Sequence, residues 1–218
     1  MGGAVMSWNE VPESTQCQKE MNFICDLFPT FGFRNCVAFE QTSLLEENEH
    51  FYALPAWNML HQNYFEACLL IIKKLRGIYP VDFDFDLSKI KQTNMKRISM
   101  NELRRHADNK NVFFILRGQA KCDMCKGKSL SEIEKYIDPK VLLIWGLYEG
   151  LIFAFTHYET LSKTGMFLEL GGDIYRKADG SVHTPVLSFS DGKIELGLRH
   201  RASRHCDVYL VPILRISN

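Results

Sequence analysis

From Met166 onward the chain alternates apolar and polar residues in short runs that are separated by turn dipeptides. Asp179–Gly180 and Asp191–Gly192 are typical of tight hairpins, because these residues tolerate the positive φ that such turns require. Alternation with a period of two places the apolar side chains of a strand on one face, as in residues 193–198. We therefore predict an antiparallel β-meander of three or four strands over residues 166–218.

Helical patterns dominate the chain before this segment. Helices are predicted over residues 14–28, where a polar cap precedes the first turn, and over residues 129–138, which open with a Ser-x-x-Glu capping box. The clearest amphipathic pattern covers residues 55–77, with Pro55 in its first turn and Gly77 as its stop.

An apolar run over residues 139–164 permits two structures. Asp138–Pro139 favours a helix start and Gly165 a helix stop, so one long buried helix is the preferred prediction. A turn at Glu149–Gly150 between two aromatic-rich strands is the alternative. A membrane span is not predicted, because Glu149 lies in the middle of the run and the uncharged stretches on either side are short.

These patterns together predict an α+β fold. An N-terminal, mainly helical layer packs against the C-terminal antiparallel β-meander, and short strands are expected at residues 35–41, 79–87 and 111–118. Residues 1–12 are expected to be a disordered tail, and residues 13–165 the mainly helical region. That region and the sheet of residues 166–218 are expected to form one continuous domain.

Charge is balanced over the whole chain but not along it. The 218 residues carry 26 basic and 26 acidic side chains. Residues 1–60 hold eight acids against two bases, whereas residues 61–135 hold fifteen bases against nine acids. Such asymmetry suits either an acidic and a basic surface that meet partners, or two regions that neutralise each other.

The cysteine content bears on the compartment. Seven cysteines are spread without the spacing of a disulfide framework, and the first ten residues do not form a secretory signal. We therefore expect a reducing, cytoplasmic setting with free thiols. No membrane partner is expected.

Five cationic or titratable side chains lie close together near the C-terminus: Arg199, His200, Arg201, Arg204 and His205. The alternation that precedes them predicts that they form a hairpin tip. Guanidinium and imidazole groups in this arrangement suit a phosphate, and Arg199 with His205 is the kind of pair that cleaves RNA without metal. The alternative is a solvated turn between two strands.

A second basic stretch runs from residue 91 to residue 110 and predicts an amphipathic helix with a cationic outer face. Four of its side chains, Lys96, Arg97, Arg104 and Arg105, are candidate phosphate contacts. Helix faces rich in lysine and arginine are usually only solvated, and no aromatic stacking platform accompanies this one.

Two further groups are weak candidates for metal binding. Cys122 and Cys125 have the spacing of half a zinc site, but no second pair follows to complete four ligands. Asp82, Asp84 and Asp86 share one face of a predicted strand, where they either hold a divalent ion or keep an edge strand soluble. We expect no cofactor.

Glu149 is the remaining oddity, because a carboxylate within an apolar helix is costly to bury unless it is paired or protonated. His157, His61 or an arginine are possible partners, and Glu149 then serves as an acid or base or makes a structural hydrogen bond. With Arg199 and His205 it completes the short list of weak catalytic candidates.

None of these catalytic constellations is complete, so a non-enzymatic binding or regulatory protein that acts through a protein partner is the first functional hypothesis. The first alternative is a nucleic-acid-binding protein, or a metal-independent RNase, that uses the basic Arg/His tip. The second is a metal-dependent phosphoesterase that uses the three aspartates.

Overall fold

The computed structural model describes residues 4–7, 16–31, 35–38, 50–83, 85–92, 112–119, 127–138, 142–165, 167–204 and 209–215. Within these segments the chain forms helices and two mixed β-sheets, which confirms the predicted α+β class. The α-helices are α1 Gln16–Leu27, α2 Trp57–Leu60, α3 Tyr64–Arg76, α4 Leu130–Tyr136, α5 Leu147–Thr156 and α6 Tyr158–Thr164.

The first sheet is built around one long strand. Its strands are β1 Ala4–Ser7, β2 Asn35–Ala38, β3 His50–Pro55, β6 Val112–Gln119, β7 Leu142–Ile144 and β13 Ile213–Arg215. Strand β6 pairs with β3 and β13 in antiparallel register but with β2 in parallel register. Strand β1 pairs with β2, so the expected disordered tail does not hold for its residues.

The second sheet is centred on a hairpin. Its strands are β4 Val81–Phe83, β5 Ile90–Gln92, β8 Phe167–Glu169, β9 Asp173–Arg176, β10 Val182–Ser190, β11 Lys193–His200 and β12 Tyr209–Leu210. Strand β10 is antiparallel to β8, β9 and β11, and Asp191 and Gly192 form the β10–β11 turn with φ of 50° and 78°. Strand β4 is parallel to β11, and β12 is parallel to β8.

The predicted antiparallel meander is therefore corrected. The C-terminal region does not form a sheet of its own, because β4 and β5 come from the region that was predicted to be mainly helical and β13 joins the first sheet. Each sheet contains at least one parallel pair, which requires long connections rather than tight turns.

Residues 139–164 form neither of the two predicted structures. They contain strand β7 and then helices α5 and α6. Gly146 precedes α5 and donates its N–H to the carboxylate of Glu149 at 2.8 Å, which fixes a helix start inside the apolar run. Gly165 does end α6, with φ of +57°. In a continuous apolar run, hydrophobic periodicity does not distinguish a buried strand from a buried helix. The sequence therefore did not show where β7 ends and α5 begins.

The amphipathic segment at residues 55–77 is also divided. Pro55 ends strand β3, and helix α3 begins only after Asn63, whose side chain accepts the N–H of Phe65 at 2.9 Å. Gly77 follows the last turn as predicted. Of the basic segment at residues 91–110, the structure describes Lys91 and Gln92, which lie in β5. The remaining residues, for which a helix is predicted, lie outside the described part of the chain.

One hydrophobic cluster joins both sheets through the helices. It includes Tyr52 of β3, Leu187 of β10 and nearly all of α5, whose residues from Leu147 to Phe155 are buried. Helix α1 packs on β3 and α5, and it brings its buried face beside the end of α5. This packing positions the α1 side of the second of the two cavities described below. No helix among the described residues is both long enough and apolar enough to cross a lipid bilayer.

Candidate functional site

The described part of the C-terminal basic run, from Arg199 to Arg204, lies at the end of strand β11 and in the turn that follows it. Strand β11 ends at His200 and a turn follows, but the next described strand, β12, pairs with β8 and not with β11. Arg204 forms an isolated bridge with Ser129, at the start of α4. His205 lies outside the described residues. The basic run therefore contacts several elements instead of projecting from one turn.

Arg201 is the most deeply buried member of this run, with 6% of its surface exposed. Its guanidinium donates to the carbonyl of Gly171 at 2.9 Å and to the carboxylate of Glu134 at 2.6 Å. A buried guanidinium that is satisfied by a carboxylate and a carbonyl has little capacity left for a phosphate. The role that these contacts support is structural.

The remaining described members of the run are also engaged within the chain. Arg199 lies 3.6 Å from the buried carboxylate of Glu169 and stacks 3.7 Å above the Tyr209 ring. His200 contacts the ring of His183, and Arg204 lies 4.0 Å from Glu132 in an exposed pair. Arg199 is the member that faces a groove, which is described below.

The other predicted site residues are placed separately. Asp82 forms an exposed ion pair with Lys193 at 3.2 Å, and Asp86 caps the short 3-10 helix Leu87–Lys89 through the N–H of Ser88. Among the described residues, no group of three or more His, Cys, Asp or Glu side chains is arranged to hold a metal ion. Several predicted residues lie outside the described segments: Asp84, Lys96, Arg97, Arg104, Arg105, Cys122 and Cys125.

Glu149 has the structural role that was one of its two predicted alternatives. It is buried and its Oε2 atom accepts the N–H of Gly146, so the carboxylate caps the helix on which it lies. His157, one of its predicted partners, instead contacts Glu20 of α1.

Two cavities remain as candidate sites. The first, which we call the outer groove, has a volume of about 530 Å³ and lies on the solvent-facing side of the second sheet. Alternate residues of β11 form its floor: Glu195, Gly197 and Arg199. Val186 of β10 lies opposite Gly197 in the strand register. Apart from Gly197 itself and its two chain neighbours, no heavy atom of the described residues lies within 4 Å of the position that a Gly197 Cβ would occupy.

Aromatic rings form one wall of the outer groove. The rings of Phe167 and Tyr209 stack with centroids 4.9 Å apart, and Arg199 covers Tyr209. At the other end, Arg76 lies over the ring of Phe83 at 4.7 Å. The side chain of Glu195 is half-buried, and no side-chain hydrogen bond or ion pair joins it to another described residue. The groove thus combines an apolar centre with one carboxylate that is open to a partner.

The second cavity, which we call the α1 cavity, has a volume of about 490 Å³ and lies between α1 and the junction of α5 with α6. Glu20 and His157 form its floor, where Glu20 Oε1 lies 3.3 Å from His157 Nε2. The other carboxylate oxygen, Oε2, accepts the N–H of Ala53 on β3 at 2.9 Å. Lys19 and Glu159 lie at its exposed rim.

The protonation of this pair follows from its burial. Burial raises the pKa of Glu20 from 4.5 to about 7, and hydrogen bonds from the Ala53 N–H and the Gln16 side chain oppose the shift only in part. Burial also lowers the pKa of His157 from 6.5 to about 4, with a smaller contribution from the nearby His50. Between these two values both Glu20 and His157 are uncharged.

The imidazole of His157 is held in one orientation. It stacks on Phe153 with ring centroids 4.4 Å apart, and its Nδ1 atom lies 2.8 Å from the hydroxyl oxygen of Thr156. The Thr156 hydroxyl donates to the carbonyl of Ile152 at 3.1 Å. Because the Thr156 hydroxyl directs its own proton to Ile152, we assign the ring proton of neutral His157 to Nδ1, which makes Nε2 an acceptor 3.3 Å from Glu20 Oε1.

Sequence reasoning did not identify Glu20 as a site residue, although a signal for it exists. Glu20 lies between Cys17 and Ile24 at helical spacing, so a carboxylate occupies the apolar stripe of α1. His157 was considered only as a partner for Glu149. Its contact with Glu20 joins residues more than a hundred positions apart, and no local pattern reports such a contact.

Comparisons with protein-family profiles, with curated protein sequences and with solved structures find no match to this chain.

Proposed function

We propose that this chain is a non-enzymatic binding protein that acts through a protein partner, and that an extended segment of the partner lies in the outer groove. The observation that carries the proposal is the open space above Gly197, between the Phe167–Tyr209 wall and Glu195. Concave sites that bind partners combine an apolar centre with a few well-placed polar groups. The outer groove has this composition.

The groove chemistry specifies which segment fits. An apolar side chain of the partner fills the space above Gly197 against Val186 and the aromatic wall. A basic side chain meets Glu195, which has no ionic partner among the described residues. Glu195 and Gly197 are two residues apart on one strand, or about 6.6 Å, so the two partner side chains are also two positions apart. The expected motif is basic-x-apolar.

Selection from a displayed library of random peptides tests this proposal. The wild-type protein is expected to enrich peptides that contain the basic-x-apolar motif. Gly197→Leu should weaken their binding by about tenfold or more, because the new side chain occupies the central space. The variant should remain folded, since the space is open and leucine suits a strand.

A matched control adds the same side chain elsewhere. Lys73→Leu, on the exposed side of α3, should leave peptide binding unchanged. Glu195→Gln should reduce the preference for the basic residue while the apolar preference is retained. Equal binding of the selected peptides to wild type and to a folded Gly197→Leu variant would contradict the proposal.

The nucleic-acid alternative has less support than the peptide groove. Arg199 and Arg201 both contact carboxylates of the chain, and Arg201 is buried. The phosphoesterase alternative rests on Asp82, Asp84 and Asp86. Of the two that the structure describes, Asp82 forms an ion pair with Lys193, and Asp86 caps a 3-10 helix. Fluorescence-anisotropy titration with short RNA and DNA at two salt concentrations separates the alternatives, since phosphate contacts weaken steeply with salt.

A reducing compartment such as the cytoplasm is part of the same proposal. Cys17, Cys25 and Cys68 are not in disulfides, and Cys17 and Cys68 are buried. Buried thiols of this kind behave as small apolar side chains in a reducing environment.

A further inference from the structure

We propose that the α1 cavity is a second site, separate from the outer groove, and that it binds a small organic cation. The ligand class is a primary ammonium or an amidinium attached to an apolar, preferably aromatic, body. The carboxylate of Glu20 is its counter-ion at the floor of the cavity.

Glu20 supplies the first part of the argument. The residue is 97% buried, with 3% of its surface exposed, and it lines the cavity. Its Oε2 atom accepts the N–H of Ala53, whereas no donor of the described residues reaches Oε1 with hydrogen-bond geometry, although the Gln16 side chain lies near the carboxylate. A buried carboxylate oxygen without a donor is costly, and a ligand that donates a hydrogen bond there relieves that cost.

His157 supplies a second acceptor beside the first. With the ring proton assigned to Nδ1, Nε2 is an acceptor 3.3 Å from Glu20 Oε1. Below pH 7 the proton of the uncharged Glu20 carboxyl serves these two atoms, and a bound ammonium group replaces it. An ammonium group has three donors and satisfies both atoms at once.

The walls and the rim of the cavity suit the rest of such a ligand. Phe23 and Phe155 meet edge to face with centroids 6.3 Å apart, and Tyr79 and Tyr158 stack at 3.7 Å. Aromatic faces favour an apolar body and stabilise a nearby cation. A volume of about 490 Å³ lies within the range for small-molecule sites.

The charged groups around the cavity favour a cation over an anion. Two acidic residues line the cavity, Glu20 on α1 and Glu159 on α6. Among the described lining residues, Lys19 at the rim is the one basic side chain of the lysine or arginine type. Two histidines lie nearby, His157 in the cavity and His50 on β3 close to it, and burial disfavours the charged form of His157. Burial raises the pKa of Tyr79, so its phenol contributes no charge near pH 7. An anion at the floor would face Glu20 without a buried cation to balance it.

The first test compares three probes of equal size on the wild-type protein: benzylamine, benzyl alcohol and benzoate. Isothermal titration calorimetry at pH 6, in two buffers of different ionisation enthalpy, gives both affinity and proton release. Benzylamine should bind at least about tenfold more tightly than benzyl alcohol, and benzoate should not bind. About one proton per ligand should be released, because Glu20 must ionise to pair with the cation.

The second test changes the counter-ion. Glu20→Gln preserves the size of the side chain and removes its charge, so benzylamine affinity should fall by about tenfold or more while benzyl alcohol affinity changes little. Glu66→Gln, on the exposed side of α3, is the matched control and should bind as wild type.

Three results would overturn the proposal: no benzylamine binding at millimolar concentration, equal affinity for benzylamine and benzyl alcohol, or binding without proton release. The proton-release measurement uses only the wild-type protein, so it decides the question even where Glu20→Gln does not fold.

Discussion

At the scale of single residues, Glu20 and His157 have opposite effects on the pH dependence of stability. The pKa of Glu20 is about 7 in the folded chain, compared with an ordinary value of 4.5, so the folded state favours the protonated form. The stabilisation that this shift gives the folded state is complete below pH 4.5 and is lost as the pH rises through 7. The pKa of His157 is lowered to about 4, so its contribution is present above pH 6.5 and is lost as the pH falls through 4.

The two contributions should nearly cancel in the wild-type protein between pH 4.5 and 6.5. Each shift of about 2.5 pH units corresponds to about 3 kcal/mol. His157→Gln should therefore lose stability as the pH rises from 4.5 to 7, whereas Glu20→Gln should gain stability as the pH rises from 4 to 6.5. Urea unfolding at a series of pH values measures both slopes.

The test is decided by the sign of the slope of unfolding free energy against pH in each variant. His61→Gln is a useful control, because His61 is an exposed histidine outside the α1 cavity. That variant should retain the flat profile that is expected from the Glu20–His157 pair. Slopes of the same sign in the two cavity variants would show that the residues do not oppose each other as the burial of the pair requires.

At the scale of secondary-structure elements, the turn Leu170–Asp173 connects the second sheet to the start of α5. Gly172 donates its N–H to the carbonyl of Trp145 at 2.8 Å, and Asp173 accepts the N–H of Leu147 at 2.6 Å. Tyr64 of α3 donates to the same carboxylate oxygen. The turn thus fixes the first residues of α5 relative to β8 and β9.

This close approach gives a prediction for two glycines. In Gly172→Ala the new Cβ would lie 2.6 Å from the carbonyl oxygen of Ile144 and 2.8 Å from the nitrogen of Gly146, both of which are backbone atoms. The variant should lose about 1 to 3 kcal/mol of unfolding free energy. Gly197→Ala, in the open groove, should be neutral or gain up to about 1 kcal/mol, because glycine weakens a strand. Chemical denaturation of both variants makes the comparison, and similar losses would contradict the packing of the turn.

Element boundaries were predictable where a local hydrogen bond sets them. The capping box of α4 joins Ser129 and Glu132, which are three residues apart, and Ser129 is one of the two cap positions, with Ser131, that the sequence predicts. Helix α1 ends before Pro29, as predicted. The divided helix at residues 55–77 was missed, because the hydrophobic period continues across a break that only the Asn63 cap marks.

At the scale of the whole molecule, Arg201 holds distant parts of the chain together. Its guanidinium joins Glu134 on α4 to the carbonyl of Gly171. Arg201→Ala should lose about 3 to 5 kcal/mol of unfolding free energy, because it leaves buried polar groups without their partner.

The matched control is Arg204→Ala, whose ion pair with Glu132 is 4.0 Å long and exposed. This variant should lose no more than about 1 kcal/mol. Thermal and urea unfolding of the two variants measure the difference. Equal, small losses would mean that the buried contacts of Arg201 do not contribute to the stability of the fold.

The sequence by itself determined the features that depend on neighbours along the chain. The β10–β11 hairpin follows from Asp191–Gly192, the left-handed stop of α6 from Gly165, and the α+β class from the change of hydrophobic period near residue 166. These features are governed by backbone sterics and hydrogen bonds over a few residues, and residue types report them directly.

Tertiary structure alone decided the parallel pairing of β4 with β11, the burial of Arg201 and the contact of Glu20 with His157. Each of these joins segments that are far apart in sequence, and each depends on how whole layers pack. The hydrophobic pattern indicates which side chains are buried, but it does not indicate which distant residues they contact. For this reason the sequence did not show which residues line the two cavities, and only the packed structure brings those residues together.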